Sequence, residues 1–499
     1  MKPTKEIVNM RANHHLTSRF VLAGLLASLC VLVFSISASA AASKWETLYK
    51  QGKIDEAIGA AQQAVTEKPK DPGIRRWLGF LLLQKQDYSG ALVQLQEART
   101  LKADSDELRL NLGMTYIGLN QNEKAIPELE QALVLHKNWA EAHYNLGIAY
   151  YNMNQLDKAI EQYRKTESQA APNGALQNNL ALALLKKGRK TEAITACRKA
   201  VELAPDNAEY SYNLGLLLQS TGDSAGARKA YEKALASDTN HADTRLALAE
   251  LLSASGDDAG ALAHYAAVSS KQPDNFTARY NAGVIYSRQA AFGKAIPEFQ
   301  AALSIKPDDA ESLAGLGWAQ FKAGQAADGI KNLDSACKKK PTLLSAWLNL
   351  ATACMVEGKN AEAIQAWDAA LKLDSKQHAA AINLGNLQYQ AQDYAKAAAA
   401  YEKSISVNPN SAEAHYGLGL AYSMLGRTDD AIAQYNKAIG INPKSSAAYN
   451  NLGVELEKKN QLDQAKAQYR KALEVDPNNA DAKRNLERFN RPTAADSPS

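Results

Sequence analysis

The chain is poor in cysteine and histidine and carries almost no net charge for its 499 residues: four cysteines, eight histidines and a formal charge of +4. Each scarcity removes a class of protein. Cys30 lies in an N-terminal segment of its own character, which leaves Cys197, Cys337 and Cys354, an odd number that implies no disulfide framework. Small buried hydrophobes are the expected role for all three, with a bridge between Cys337 and Cys354 left open. The histidines form no His-x-x-x-His pair and no Cys/His cluster at ligand spacing, so no metal and no cofactor is expected. Residues 1–40 hold Lys2, Lys5, Arg11 and Arg19 against Glu6, and the remainder then balances 53 basic against 52 acidic side chains. A nucleic-acid binder needs a clear positive excess for phosphate neutralisation, so no nucleic-acid partner is expected.

What the chain does have is helix-forming composition. Alanine, leucine, lysine, glutamate and glutamine dominate, and the apolar share of 46% suffices for a core along the whole length. The N-terminus is different. Basic residues precede an uncharged apolar run from Phe20 to Ile36, followed by Ala38-Ser39-Ala40, which is the layout of a secretory signal peptide. Seventeen residues make a helix of roughly 25 Å, short of the ~30 Å hydrocarbon core. Cleavage after Ala40 and a periplasmic or secreted location are therefore expected. The alternative is an inner-membrane anchor through residues 20–36 facing the periplasm. Leu29 before Cys30 speaks against lipidation.

An internal period of 34 residues settles the architecture. Asn111-Leu112-Gly113 returns as Asn145-Leu146-Gly147, Asn213-Leu214-Gly215, Leu384-Gly385, Leu418-Gly419 and Asn451-Leu452-Gly453, always at multiples of 34. With this glycine as position 8, position 20 is alanine from Ala57 to Ala465 in every repeat except at Gly329. Position 24 is large (Leu95, Tyr163, Tyr231, Phe299, Trp367, Tyr469), and position 32 is often proline (Pro69, Pro205, Pro307, Pro477). Small residues let two helices cross closely, the large one fills the space beside the crossing, and the proline stops the second helix. Pro127 and Pro297 both fall at position 22, which this register places near the start of the second helix, where proline is tolerated.

The Leu-Gly, alanine, aromatic and proline landmarks resemble the tetratricopeptide repeat. The resemblance covers about thirteen repeats and implies an all-α, right-handed superhelical α-solenoid of stacked helix-turn-helix units. The expected organisation is a signal peptide over 1–40, a tandem array over 41–479, a C-terminal capping helix over 480–490 and a disordered tail over 491–499. The first repeat carries Trp45 where others have glycine, as an end cap would.

Chemistry has little to stand on, and no enzyme is expected. Gly222-Asp223-Ser224-Ala225-Gly226 matches the Gly-x-Ser-x-Gly nucleophile elbow, but it falls in a helix–helix turn, not between strand and helix. His143 and His415 share position 4 and lie eight repeats apart, so they cannot form one site. The functional candidate is instead a ladder of asparagines at position 6: Asn111, Asn145, Asn179 and Asn213 in four successive repeats, beside Met114, Ile148, Leu182 and Leu216 at position 9. Family geometry puts the first helix of each repeat on the concave surface, where amides can bond an extended backbone and apolar neighbours take its side chains. The array is similar in this to the superhelical region of O-linked N-acetylglucosamine transferases, without their catalytic domain. These readings imply an exported, non-catalytic scaffold or assembly factor that holds a protein or peptide in its groove. The alternative is a regulatory or recruiting subunit of a cell-envelope enzyme complex.

Overall fold

The computed structural model describes residues 43–489 except Ala103. The proposed signal peptide and tail lie outside the described residues. Among these there are 27 helices and no strand. From residue 72 on, the first helix of each repeat (helix A) occupies positions 1–13, as in Asp106–Gly118 and Ala412–Met424, and helix B occupies 17–30, as in Asn122–Leu135 and Thr428–Ile441. The chain divides into two compact units, residues 1–268 and 269–499, with the boundary inside helix Asp258–Lys271. In each unit, helix A packs on its own helix B and each helix B on the next helix A.

Local chemistry sets the helix bounds. Position 34 caps the following helix A: Asp71, Ser105, Asn173, Asn207, Asn275, Asp309 and Ser411 all accept a backbone N–H from its first turn. Helix A ends because position 15 takes a positive φ in every repeat. Gly52, Gly188, Gly222, Gly256, Gly324, Gly358 and Gly426 supply it without strain, and Asn120, Asn154 and Asn460 do so at small cost. The nucleophile-elbow match is explained by the same turn. Gly222 has φ +86°, Asp223 caps helix B by accepting from Gly226 N, and a Cβ on Gly226 would lie 2.3 Å from the Asp223 carboxylate.

The A/B crossing is as small as its sequence requires. The position-20 alanines Ala91, Ala125, Ala227, Ala295 and Ala431 are fully buried. At position 8 the glycine makes room for the ring of position 24: a Cβ on Gly147 would stand 2.6 Å from Tyr163, and one on Gly215 would stand 2.4 Å from Tyr231. The observed helix bounds correct one detail of the register. Helices Asn122–Leu135 and Phe292–Ile305 begin five residues before Pro127 and Pro297, so both prolines lie inside the helix and each forgoes one i→i−4 bond. At the two ends of the described residues, Ser43 and Glu46 form a capping box that starts helix Lys44–Lys50, and helix Ala480–Phe489 sets Leu486 and Phe489 against the last repeat.

Candidate partner-binding surface

The helix-A face of the first unit differs from the expected open groove. Met114, Ile148, Leu182 and Leu216 are 4%, 2%, 4% and 3% exposed. Met114 and Ile148 belong to a buried cluster with Tyr116, Tyr144 and Tyr150. Apolar side chains this deeply covered offer no ready surface to a partner, which corrects the expectation that they stand open beside the asparagines.

Three of the four asparagines are occupied as well, two of them by the preceding repeat. Asn179 Nδ2 donates to Tyr144 Oη at 2.9 Å and Asn213 Nδ2 to Asn178 Oδ1 at 3.0 Å. In both, position 6 reaches position 5 of the preceding repeat. The same bond recurs in the second unit from Asn451 to Tyr416 and from Asn485 to Asn450. Asn145 Nδ2 donates to the Glu141 carbonyl of its own helix, while Asn111, 1% exposed, has no hydrogen-bond partner for either amide atom among the described residues. Half of the ladder, Asn179 and Asn213, is thus a seam between successive A helices. A polar row at strict repeat spacing reads the same from sequence whether it bonds a ligand or the next repeat.

A second recurring contact escaped the sequence reading. Position 4 bonds position 23 across the hairpin, as Arg75 to Gln94, Arg109 to Glu128, His143 to Gln162, Arg279 to Glu298 and His415 to Gln434. Arg75, Arg245, Trp347 and His415 also reach the carbonyl of position 32 in the preceding repeat. His143 and His415 therefore do equivalent structural work in separate repeats. The signal was a side chain with an N–H donor at position 4 facing an amide or carboxylate at 23.

Other chemistry-bearing groups are muted. Burial pushes the thiols of Cys197 and Cys337 up to about 12 and raises that of Cys354, which suppresses thiolate reactivity. Among the described residues no group of three or more His, Cys, Asp or Glu could hold a metal ion, and no helix is long and apolar enough to cross a membrane.

One titratable contact ties two repeats of the first unit. His241 Nε2 lies 3.2 Å from Glu209 Oε2, and its Nδ1 faces the backbone N–H and hydroxyl of Thr244 at the start of helix Ala242–Ala254. The Glu209 hydrogen bond raises the imidazole above its ordinary value against the opposing effect of burial, with smaller help from Asp243 and Asp238. A raised folded-state value means that the stabilisation is full below the unfolded value of about 6.5 and is lost as pH rises through the folded one. Glu209→Gln should therefore lower the melting temperature more at pH 6 than at pH 8.5. A gap that stays constant between those pH values would contradict the linkage.

Among the described residues, the large exposed apolar side chains on helix A lie in the second unit. Val356 and Met424, both at position 13, are 64% and 51% exposed. Trp318, Phe321 and Met355, at positions 9 and 12, are half-buried. The Trp318 and Phe321 rings sit 5.6 Å apart with Lys322 Nζ over the indole. Helix Ala310–Lys322 touches helices Phe276–Arg288 and Leu344–Val356 directly, so Trp318, Phe321, Met355 and Val356 share one run of the A-helix face.

Family models described as tetratricopeptide repeat match residues 48–99, 144–208, 178–242, 218–284, 276–309, 315–378, 382–446 and 446–479, and one described as TPR repeat matches 115–154. No curated protein matches the chain. Solved structures similar to it include YrrB, described as a TPR protein with an unusual peptide-binding site, at 18% identity over 38% of this chain and 97% of that one with a TM-score of 0.36. MamA is 29% identical over 33% of this chain and 96% of its own, with a TM-score of 0.32. The APC/C hetero-tetramer Cut9-Hcn1 is 16% identical over 89% of this chain and 94% of that chain, with a TM-score of 0.34.

Proposed function

Because the chain belongs to the tetratricopeptide repeat family, a family of protein-interaction scaffolds, we propose that it is an exported scaffold that holds a segment of another protein on the A-helix face of its second unit. The observation that carries this reading is the exposure of Val356 and Met424 on helices whose equivalent positions elsewhere are polar, small or basic, as at Asn152, Lys186, Ser220 and Lys458. Exposed apolar side chains in register on one face mark an interaction site more often than scattered ones do.

Export is proposed from the leader-like residues 1–40, with the mature chain starting at Ala41. The capping box of Ser43 and Glu46 supports it, because helix Lys44–Lys50 keeps its own N-terminal cap when everything up to Ala40 is removed. N-terminal sequencing of protein from its native cells tests this, and retention of residues 1–36 would overturn the soluble form.

Binding is tested by placing a photoreactive benzoylphenylalanine at position 356 or 424 of the full chain in its native cells. Irradiation should yield a discrete crosslinked product. Position 134 is the control, since Val134 is also 64% exposed but lies on a helix B of the first unit. Equal products from all three positions would remove the assignment to this face.

A further inference from the structure

Where arginine stands at position 4, its acceptor across the hairpin is Gln94, Glu128 or Glu298, except in the repeat of helices Ala242–Ala254 and Asp258–Lys271, where it is an imidazole. Arg245 Nη1 lies 3.4 Å from His264 Nδ1. A guanidinium nitrogen only donates, so Nδ1 must present its lone pair, and the proton of the neutral ring sits on Nε2. The bond therefore exists only while His264 is uncharged. His143 and His415 stand on the other side of the same contact, with Nδ1 2.6 Å and 2.8 Å from the side-chain oxygens of Gln162 and Gln434. For those two, protonation adds a donor and removes no acceptor.

We propose that His264 makes this hairpin an acid-released joint: when the imidazole takes up a proton from solvent, Nδ1 turns from acceptor to donor, the Arg245 bond is lost, and two cations face each other between helices Ala242–Ala254 and Asp258–Lys271. Arg245 cannot simply swing away, because its Nε donates to the Thr239 carbonyl at 2.9 Å. The other charges around the ring are Asp257 in the turn before its own helix and Glu232 on helix Ser224–Ser237. Both are engaged, Asp257 by the Gly260 N–H at 2.9 Å and Glu232 by Arg228 at 2.8 Å. Burial holds the imidazole below its ordinary value and Arg245 lowers it further, against the weaker pull of Asp257 and Glu232. With a lowered folded-state value, the stabilisation is full above the unfolded value of about 6.5 and is lost as pH falls through it toward the folded one. His241 of the same repeat runs the other way, since its bond to Glu209 on helix Ala208–Ser220 gains from protonation. Acid thus tightens helix Ala242–Ala254 against the repeat before it while releasing it from its own helix B.

The test is hydrogen–deuterium exchange of the full chain at pH 7.5 and pH 5.5, corrected for the intrinsic pH dependence of exchange. Peptides from residues 242–264 should lose protection about 3-fold or more at the lower pH, relative to the hairpin of helices Ala140–Asn152 and Leu156–Gln169. The His143–Gln162 contact of that reference hairpin tolerates protonation. His264→Gln supplies the amide acceptor found at Gln94 and should remove the extra loss. His264→Glu supplies the carboxylate found at Glu128 and Glu298 and should do the same, so one of the two suffices if the other folds poorly. Glu209→Gln should deepen the loss, because it takes away the bond that acid strengthens. No extra loss in the wild-type chain overturns the proposal. So does an acid response of unchanged size in a folded His264 variant, or one that vanishes in Glu209→Gln.

Discussion

Replacing Gly329 with alanine is expected to destabilise the second unit, while Gly440→Ala in the same unit is expected to stabilise it. Alanine is the better helix former by about 1 kcal/mol, so propensity alone predicts a gain at both positions. Geometry separates them. A Cβ on Gly329 would lie 2.7 Å from the Gly317 carbonyl oxygen and 2.8 Å from Phe321 N, which are backbone atoms of helix Ala310–Lys322 and cannot swing aside. A Cβ on Gly440 meets nothing within 4 Å. This repeat alone has glycine at both position 8 and position 20, so its two helices cross at backbone contact. Forcing them apart should cost ~1–3 kcal/mol, more than the propensity gain offsets, whereas Gly440→Ala should add ~0.5–1 kcal/mol. The loss should appear first in the hydrogen exchange of helices Ala310–Lys322 and Ala326–Lys339, since repeat stacks are stabilised by nearest neighbours. Urea unfolding that moves both variants in one direction would overturn the argument.

The period and the crossing were legible because they depend on residue size and backbone freedom, which a sequence states outright. Thirteen windows with a small residue at position 20 read as helix hairpins from the chain alone, and the Gly-x-Ser-x-Gly match is set aside by its place in a turn. The site was less legible for a physical reason. Periodicity says which side chains share the A-helix face but not how far neighbouring helices cover them. Met114 and Leu182 at position 9 look in sequence like Trp318 and Leu420 at the same position, yet the first pair is buried and the second only partly so. The exposed pair Val356 and Met424 stands at position 13, one turn further along, where no asparagine ladder draws attention. Pro127 and Pro297 show the same limit on a smaller scale, since the register found their common position while the true start of helix B decided that they lie within it.

The asparagine ladder gives the sharpest contrast between a residue type and its surroundings, because one substitution at one repeat position should have opposite outcomes. Asn213→Ala removes the donor from Asn178 Oδ1, on a side chain 2% exposed, and Asn179→Ala removes the donor from Tyr144 Oη. A buried acceptor left without its partner costs ~1–3 kcal/mol, which exceeds the few tenths that alanine gains in helix propensity. The double variant should therefore unfold the first unit ~2–4 kcal/mol more easily, with helicity before the transition unchanged. Asn111→Ala breaks no side-chain hydrogen bond, because neither amide atom has a partner among the described residues, and it relieves a buried polar group. It should leave stability unchanged or raise it by ~0.5–1 kcal/mol. If Asn213→Ala and Asn111→Ala shift the urea midpoint alike, position 6 owes its asparagines to something other than the seam. If they part as expected, Asn179 and Asn213 of the row first read as a ligand ladder hold repeat to repeat, and the first unit owes part of its stability to side-chain hydrogen bonds between neighbouring A helices that composition alone could not reveal.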